Sequence, residues 1–380
     1  MIPRLLFKNR AASGVPAVLF RGNTGFSADW NLPIGVAVLH TRKMDKTTKQ
    51  TAVRIADGFT AVRREENTYN NELAMEALLL LVQRGLSPEY SEYVAQYMES
   101  QHLTASTVRN WRDQQFHDIS YPWFAGRSQL NEYKESYIAC TDAWIKEAAR
   151  RPNGSIIHNC THNPVGSLID MVQAYMIRLC RCAALTGNAA YVEEAVSQLR
   201  SHRAELRDPK SGCYHQGKGW LADDGLSPAP WSRGQGWMIH GMIHSIPLLK
   251  KWPDAQQEFI AAFRELVDSL LALQMESGFW HQLVDEPHQS FPDTSGTALI
   301  YEALELGLQQ NILGSDIQPA AEKAWNAIAA QVDENGIIDQ ACRGPGTIWK
   351  TEPWRNSPAP KGDPHGVFSM LFACAARMGR

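Results

Sequence analysis

The chain has 380 residues, 44% hydrophobic and 20% charged, which is the composition of an ordinary globular protein rather than a disordered or fibrous one. With 37 Lys and Arg against 40 Asp and Glu, the formal charge is -3 and gives no basis for a nucleic-acid or anionic-membrane partner. No stretch has the apolar length that spans a bilayer, and the opening "MIPRLLFKNRAASGVPAVLF" alternates basic and short apolar pieces too closely for a signal peptide, so a cytoplasmic protein is expected.

Residues 1–44 read as an N-terminal extension with no assignable role. From there on helical periodicity dominates and strand alternation is almost absent. The spacing predicts helices over 47–64 and 69–84. The next, "SPEYSEYVAQYMES", has Ser87 as N-cap, Pro88 at the first helical position and Glu89 after it. Further helices are predicted over 121–129, 132–150, 165–186, 189–206, 234–251, 254–274, 294–310, 318–332 and 364–378, twelve in all.

The list carries a weak repeat of very roughly fifty residues, the range of helical-hairpin arrays. "RGLSPEYSEYVAQYM", "LTGNAAYVEEAVSQL" and "KKWPDAQQEFIAAFREL" each end one helix at a short turn and open the next with an early aromatic. Six hairpins form either an open solenoid or a closed ring. Closure is favoured, because "SLIDMVQAYMIRLC" and "SGTALIYEALELG" are apolar on most sides, as inner helices are. The links between hairpins are long and aromatic-rich, and in a ring they emerge at one end and wall a pocket there. No linker or low-complexity tract divides the chain, so residues 45–380 are expected to form one all-α toroid.

The seven cysteines are odd in number and scattered, and the pair in "CRC" does not share a helix face; buried free thiols in a reducing compartment are the plain reading. "NGS" and "NCT" match glycosylation sequons that mean nothing without secretion. Twelve tryptophans either fill a large core or supply stacking platforms for sugars.

The links hold the candidates for chemistry: His117 and Asp118 in "FHDIS", His158 in "SIIHN", His215 and Trp220 in "CYHQGKGW", and Trp231, Arg233 and Trp237 in "WSRGQGW". A lone histidine is more often structural than functional. "RGQGW" lacks the context of a phosphate loop; its glycines would let backbone approach a ligand while Arg233 offers a planar fork to a carboxylate. Asp170, in "SLIDMV", is an acid amid apolar neighbours, either at a solvated helix end or kept there for chemistry. "HNCTH" groups His158, Cys160 and His162, but no second cluster has zinc-like spacing, so no metal and no cofactor are expected. Two carboxylates, an arginine and several Trp and His point to acid/base chemistry on a carbohydrate acid.

From about Tyr69 to the C-terminus, "HDISYPWFAGRSQL", "NGSIIHN", "SLIDMVQAYMIRLCRCAALTGNAAYVEEAVSQL", "DPKSGCYHQGKGW", "SPAPWSRGQGWMIHGM", "QMESGFWHQLVD" and "DTSGTALIYEALELG" follow one another in order. In this the chain resembles the unsaturated uronyl hydrolases of glycoside hydrolase family 105, with family 88 more distant. The resemblance implies an (α/α)6 barrel and a substrate with a 4,5-unsaturated uronic acid at its non-reducing end, left by a polysaccharide lyase. It implies Asp170 as general acid and base with Asp118 as its carboxylate partner. His215, Arg233 and Trp237 would hold the sugar, with His158 nearby and Tyr69 and Asn70 at the start of an inner helix. An apolar surround and a second carboxylate would both raise the pKa of such an acid. Unsaturated galacturonyl-rhamnose is the default substrate; unsaturated glucuronyl fragments, a sugar epimerase on the same barrel and a non-catalytic sugar binder are the alternatives. The chain departs from the family pattern at Leu168, where a Trp is usual, and at Gln235, where an Asn is.

Overall fold

Gly187 takes the left-handed conformation (φ 73°) that ends a helix, and Asn188 caps the next by accepting from the Ala190 N–H at 3.0 Å. Asp363 caps another ahead of Pro364, whose missing N–H costs nothing at a first helical position. In a computed structural model, residues 46–61, 69–100, 130–157, 166–219, 224–344, 355–356 and 358–379 are described. Among them lie eleven α-helices: α1 Lys46–Thr60, α2 Tyr69–Gln83, α3 Glu89–Ser100, α4 Leu130–Glu147, α5 Ile169–Thr186, α6 Ala189–Leu206, α7 Ser232–Ser245, α8 Pro253–Leu271, α9 Thr294–Gln309, α10 Gln318–Ala329 and α11 Pro364–Met378. The helix expected over 121–129 and the extension 1–44 fall outside the described residues.

The fold is an all-α (α/α)6 barrel. Its inner helices pack side by side in the order α5, α7, α9, α11, α2, and α3, α6, α8, α10 and α1 pack outside them. Sequence explains the division. In α9, every residue from Thr294 to Gly307 is buried, whereas α8 buries only the stripe Phe259, Ala262, Phe263, Leu266, Val267 and Leu270. One apolar core runs from Ala52 to Ala376. Trp144, Trp231, Trp237, Trp280 and Trp325 all belong to it, so at these five positions core filling is realised.

The helices expected to end at 64, 150, 274 and 332 end at Thr60, Glu147, Leu271 and Ala329, and two further limits have a visible cause. The helix expected from 165 begins at Ile169, because Ser167–Leu168 (β1) runs extended and pairs antiparallel with Gly217–Lys218 (β2). Ser167 is held there by its hydroxyl, which donates to Glu205, itself bound by Ser155 and Arg151. The "NGS" triplet in this region is an Asx turn, with Asn153 Oδ1 accepting from the Ser155 N–H at 3.0 Å. The helix expected to reach 251 ends at Ser245, ahead of a 3-10 turn over Ile246–Leu249, since Pro247 has no N–H to continue it.

The glycines of "RGQGWMIHG" also need a different account. A Cβ on Gly236 would lie 2.8 Å from Leu299 Cβ, and one on Gly241 2.6 Å from Gln173 Cα. They seat α7 between α5 and α9. The first turns of α7 and α9 also approach closely, so that a Cβ on Gly296 would meet Ser232 Oγ at 2.4 Å and the Arg233 backbone nitrogen at 2.7 Å. Gly296→Ala is therefore expected to cost about 3 kcal/mol, as overpacking against backbone does. Urea unfolding measures this, and an unchanged midpoint would show that the two helices do not meet there.

Candidate active site

The first turns of the described inner helices all open at the same end of the barrel. They carry Tyr69 on α2, Asp170 on α5, Arg233 on α7, Ser295 on α9 and His365 on α11. The links above them are laced together: the Ile169 N–H donates to Gln216 O (2.8 Å), Ser232 to Gln282 (3.0 Å) and Thr294 to Gln340 (2.9 Å). For the described links, this is the collar at one end that the hairpin pattern led us to expect. Helix N-termini favour negative charge, so this mouth suits an anionic ligand.

Asp170 is the second residue of α5, half-buried, with Oδ2 lacking any hydrogen-bond partner. Burial pushes its carboxyl up, while Arg233, its own backbone N–H and the Trp237 indole pull it back, leaving it at about 6. The indole N–H lies outside ordinary hydrogen-bond geometry but close enough to favour the charged form. The helix starts at Ile169, so Asp170 is at a helix end, half-buried and in the field of Arg233.

Arg233 is 2% exposed and lies 4.4 Å over the Trp231 ring. Its Nη1 donates to Ser295 Oγ at 2.9 Å and to the Cys342 carbonyl, while Nε has no partner. The guanidinium is thus anchored at one nitrogen with the Nε edge left for a planar acceptor. Asp293 builds the anchor. It accepts from Ser232 Oγ (2.5 Å), Ser295 Oγ (2.7 Å) and the N–H groups of Ser295, Gly296 and Cys342. This gives the "DTSG" motif its role: it caps α9 and fixes the two groups that hold Arg233.

Gln235 bridges the Tyr214 backbone, accepting from its N–H at 2.8 Å and donating to its carbonyl at 2.7 Å. It thereby fixes the strand that carries His215, whose Nδ1 bonds the Ser227 carbonyl at 2.6 Å. Leu168 is buried at the N-cap of α5, one residue from the acid's own helical turn. Trp237 stacks on Phe368 at 5.2 Å and 16°. Asn70 has an Oδ1 without a partner beside Tyr69. Of the expected site residues, Tyr69, Asp170, Arg233 and Trp237 come together; His215 sits in the adjoining collar; Asp118 and His158 lie outside the described residues.

Sequence reasoning missed Asp363 and His365. His365 Nε2 is hydrogen-bonded to the Tyr69 hydroxyl and its Nδ1 to Asp363 Oδ1 at 2.6 Å. The Asp-Pro helix opening was a visible signal, yet nothing local ties it to Tyr69, almost three hundred residues away.

Deeper along α7, His240 and His244 flank Glu302, at 2.7 and 2.8 Å. Metal-coordinating atoms at about 2.1 Å from a tetrahedral ion stand roughly 3.4 Å apart, so these shorter separations fit hydrogen bonds better than a metal site. Burial pushes the Glu302 carboxyl up, but the two imidazoles bring it down to about 2.

Barrels of this (α/α)6 kind, here with a raised acid and an anchored, buried arginine at one end, occur among carbohydrate enzymes. The chain belongs to glycosyl hydrolase family 88, whose model matches residues 42–379. It is similar to the unsaturated rhamnogalacturonyl hydrolase YesR of Bacillus subtilis, 26% identical over 50% of this chain and 52% of that one. It is also similar to an unsaturated 3S-rhamnoglycuronyl hydrolase of Alteromonas, 30% identical over 41% and 38%. The chain thus spans about half or less of the length of these two curated relatives. Among solved structures, a family 105 glycoside hydrolase of C. acetobutylicum superposes with a TM-score of 0.76 at 16% identity, over 88% of this chain and 99% of that one. An unsaturated glucuronyl hydrolase of Bacillus sp. GL1 gives 0.60 at 16% identity, over 86% and 95%. Among the described residues no helix is long and apolar enough to cross a membrane.

Proposed function

We propose that the chain releases a 4,5-unsaturated uronic acid from the non-reducing end of lyase-generated oligosaccharides by hydrating its enol-ether double bond. The observation that carries this reading is the pairing of Asp170, held at about 6, with the unpartnered Nε edge of Arg233. Ordinary glycoside hydrolysis uses two carboxylates flanking an acetal. Protonating a carbon instead needs an acid that keeps its proton near neutral pH, with the substrate's carboxylate anchored beside it.

In this reading Arg233 takes the sugar carboxylate on C5, and Asp170 gives its proton to C4. Water adds its oxygen to C5 and returns a proton to Asp170. The resulting hemiketal opens as the C5–ring-oxygen bond breaks, and the hemiacetal left at C1 collapses to release the neighbouring sugar. No step consumes a metal or a cofactor. Trp237 and His215 border the sugar, with Asn70 and Tyr69 across from them; Asp118 and His158 are proposed as the acid's carboxylate partner and a further sugar contact. The names of the curated relatives support unsaturated galacturonyl-rhamnose as the first substrate to try, with unsaturated glucuronyl fragments as the second reading. Six free, buried cysteines among the described residues support a reducing, cytoplasmic setting.

The test is loss of enol-ether absorbance when a panel of lyase-made unsaturated disaccharides is added to the purified chain. Consumption of at least one, with release of the linked sugar, is expected. An epimerase would leave the disaccharides intact, and a binding protein would retain the double bond; either result sinks the proposal.

A further inference from the structure

Asp363 is capped into the start of α11, where one oxygen, Oδ1, accepts both the backbone N–H of His365 (3.0 Å) and its ring Nδ1–H (2.6 Å). A carboxylate can only accept, so the proton on this imidazole sits on Nδ1. Burial, followed by the nearby Arg233 cation, keeps the ring neutral. Its Nε2 is then a bare acceptor, and the hydroxyl of Tyr69 must donate to it. The two rings pack 5.7 Å apart, and Phe368 packs edge-on against His365 while stacking on Trp237. The chain Asp363–His365–Tyr69 is therefore directional. With its proton committed to His365, the Tyr69 oxygen can only accept from its other neighbours, the Asn70 side chain being one of them.

Tyr69 stands in the field of both Arg233 and Asp170. In the reaction proposed above, Asp170 serves C4 and Arg233 holds the carboxylate on C5. In that reading the water that attacks C5 approaches from the side of Asp170, which takes one of its protons. It has two hydrogens to place while its lone pair points at carbon. One goes to the Asp170 carboxylate once that group has given its proton away; the other needs an acceptor of its own, and a neutral oxygen suffices.

Resting on that reading of the site, we propose that Tyr69 is this acceptor, a catalytic residue that orients the attacking water, and that His365 and Asp363 are positioning residues that fix the direction of its hydroxyl. The step balances as before. The π electrons of the double bond take the proton of Asp170 at C4, the water oxygen bonds to C5, and the water proton facing Asp170 restores its carboxylic acid. The proton facing Tyr69 stays on the new C5 hydroxyl.

The experiment combines steady-state kinetics with a measurement that does not need turnover. Tyr69→Phe is expected to lower kcat about thirtyfold and leave KM within about threefold, as loss of an interaction made in the reacting state does. His365→Ala should lower kcat about tenfold, and His365→Gln, whose amide oxygen can replace Nε2, should recover most of it. In the Tyr69→Phe background, His365→Ala should add less than about twofold, because its effect passes through the missing hydroxyl. Thermal melts of each variant report folding separately. Nitrogen-15 NMR of labelled histidine, assigned by loss of a signal in His365→Gln, should show His365 as the Nδ1-protonated tautomer, with its Nε2 signal shifted by Tyr69→Phe.

A rise in KM at constant kcat for Tyr69→Phe would make Tyr69 a sugar contact and overturn the assignment. So would fully additive double-variant effects, or an Nε2-protonated His365. If the wild type turns over no unsaturated disaccharide, the functional reading falls and the water-orienting role falls with it. Turnover with additive variants defeats this inference alone.

Discussion

Asp170→Asn is expected to lower the rate of double-bond loss by about a thousandfold or more, since an amide of the same shape cannot give a proton to carbon. The fold should survive the change. Asp170 lies in the first turn of α5 with Oδ2 unpartnered, so no packing contact or hydrogen bond at that oxygen is lost. The wild-type pH dependence follows from the same group. The active form is the protonated acid, so kcat/KM should be level well below about 6 and fall roughly tenfold per pH unit above it. The stability effect has the opposite sign to the activity effect. A carboxyl raised from 3.8 to about 6 binds its proton more tightly folded than unfolded, so it costs stability as pH rises through that window. At pH 7 Asp170→Asn removes the cost and should stabilise the chain by about 3 kcal/mol. Paired measurements check this: an inactive variant with a higher urea midpoint at pH 7 and only a small part of that gain at pH 4. An active variant, or one destabilised at both pH values, would mean that Asp170 is structural.

How much of this could be read beforehand depended on how far apart the partners lie in the chain. Helices α6 and α11 were legible to the residue, and local chemistry starts them: the Gly187 stop of α5 and the Asn188 cap in one case, Asp363 and Pro364 in the other. The start of α5 was not, because apolar periodicity continues through Ser167 and Leu168. What makes them extended is pairing with a strand fifty residues on and a hydroxyl contact to Glu205. Asp170 could be singled out from its apolar neighbours alone, but the cause of its shift includes Arg233, on another helix. The glycines of "RGQGW" have a packing role that was hidden for the same reason. Sequence shows that a side chain is absent, and only the neighbouring helix shows what fills the space, here Leu299 and Ile169. His365 is the extreme case, an unremarked histidine until Tyr69 is placed against it.

Arg233 carries the second large effect, and it acts in two ways that can be separated. It offers its Nε edge to the substrate carboxylate, and it restrains the rise of the Asp170 pKa. Arg233→Met should lower kcat/KM by about 10³-fold, in the range found when one partner of a desolvated charge pair is truncated. The loss of discrimination matters more than the loss of rate. The wild type should reject the methyl ester of its substrate by at least about a hundredfold, because the ester cannot accept from the guanidinium edge as an anion does. The Met variant should treat acid and ester nearly alike. Its alkaline limb should also move above about 6, since removing the cation withdraws the first influence that favours ionised Asp170 and leaves burial less opposed. Arg233→Lys separates the two roles: a point charge there should keep the limb near its wild-type position, yet lose binding, because ammonium cannot match the planar fork. If Arg233→Met kept the preference for the acid, the carboxylate would have to be held elsewhere. If it kept the preference and also left the pH profile unmoved, Arg233 would serve only to tie α7 to Ser295 and Cys342.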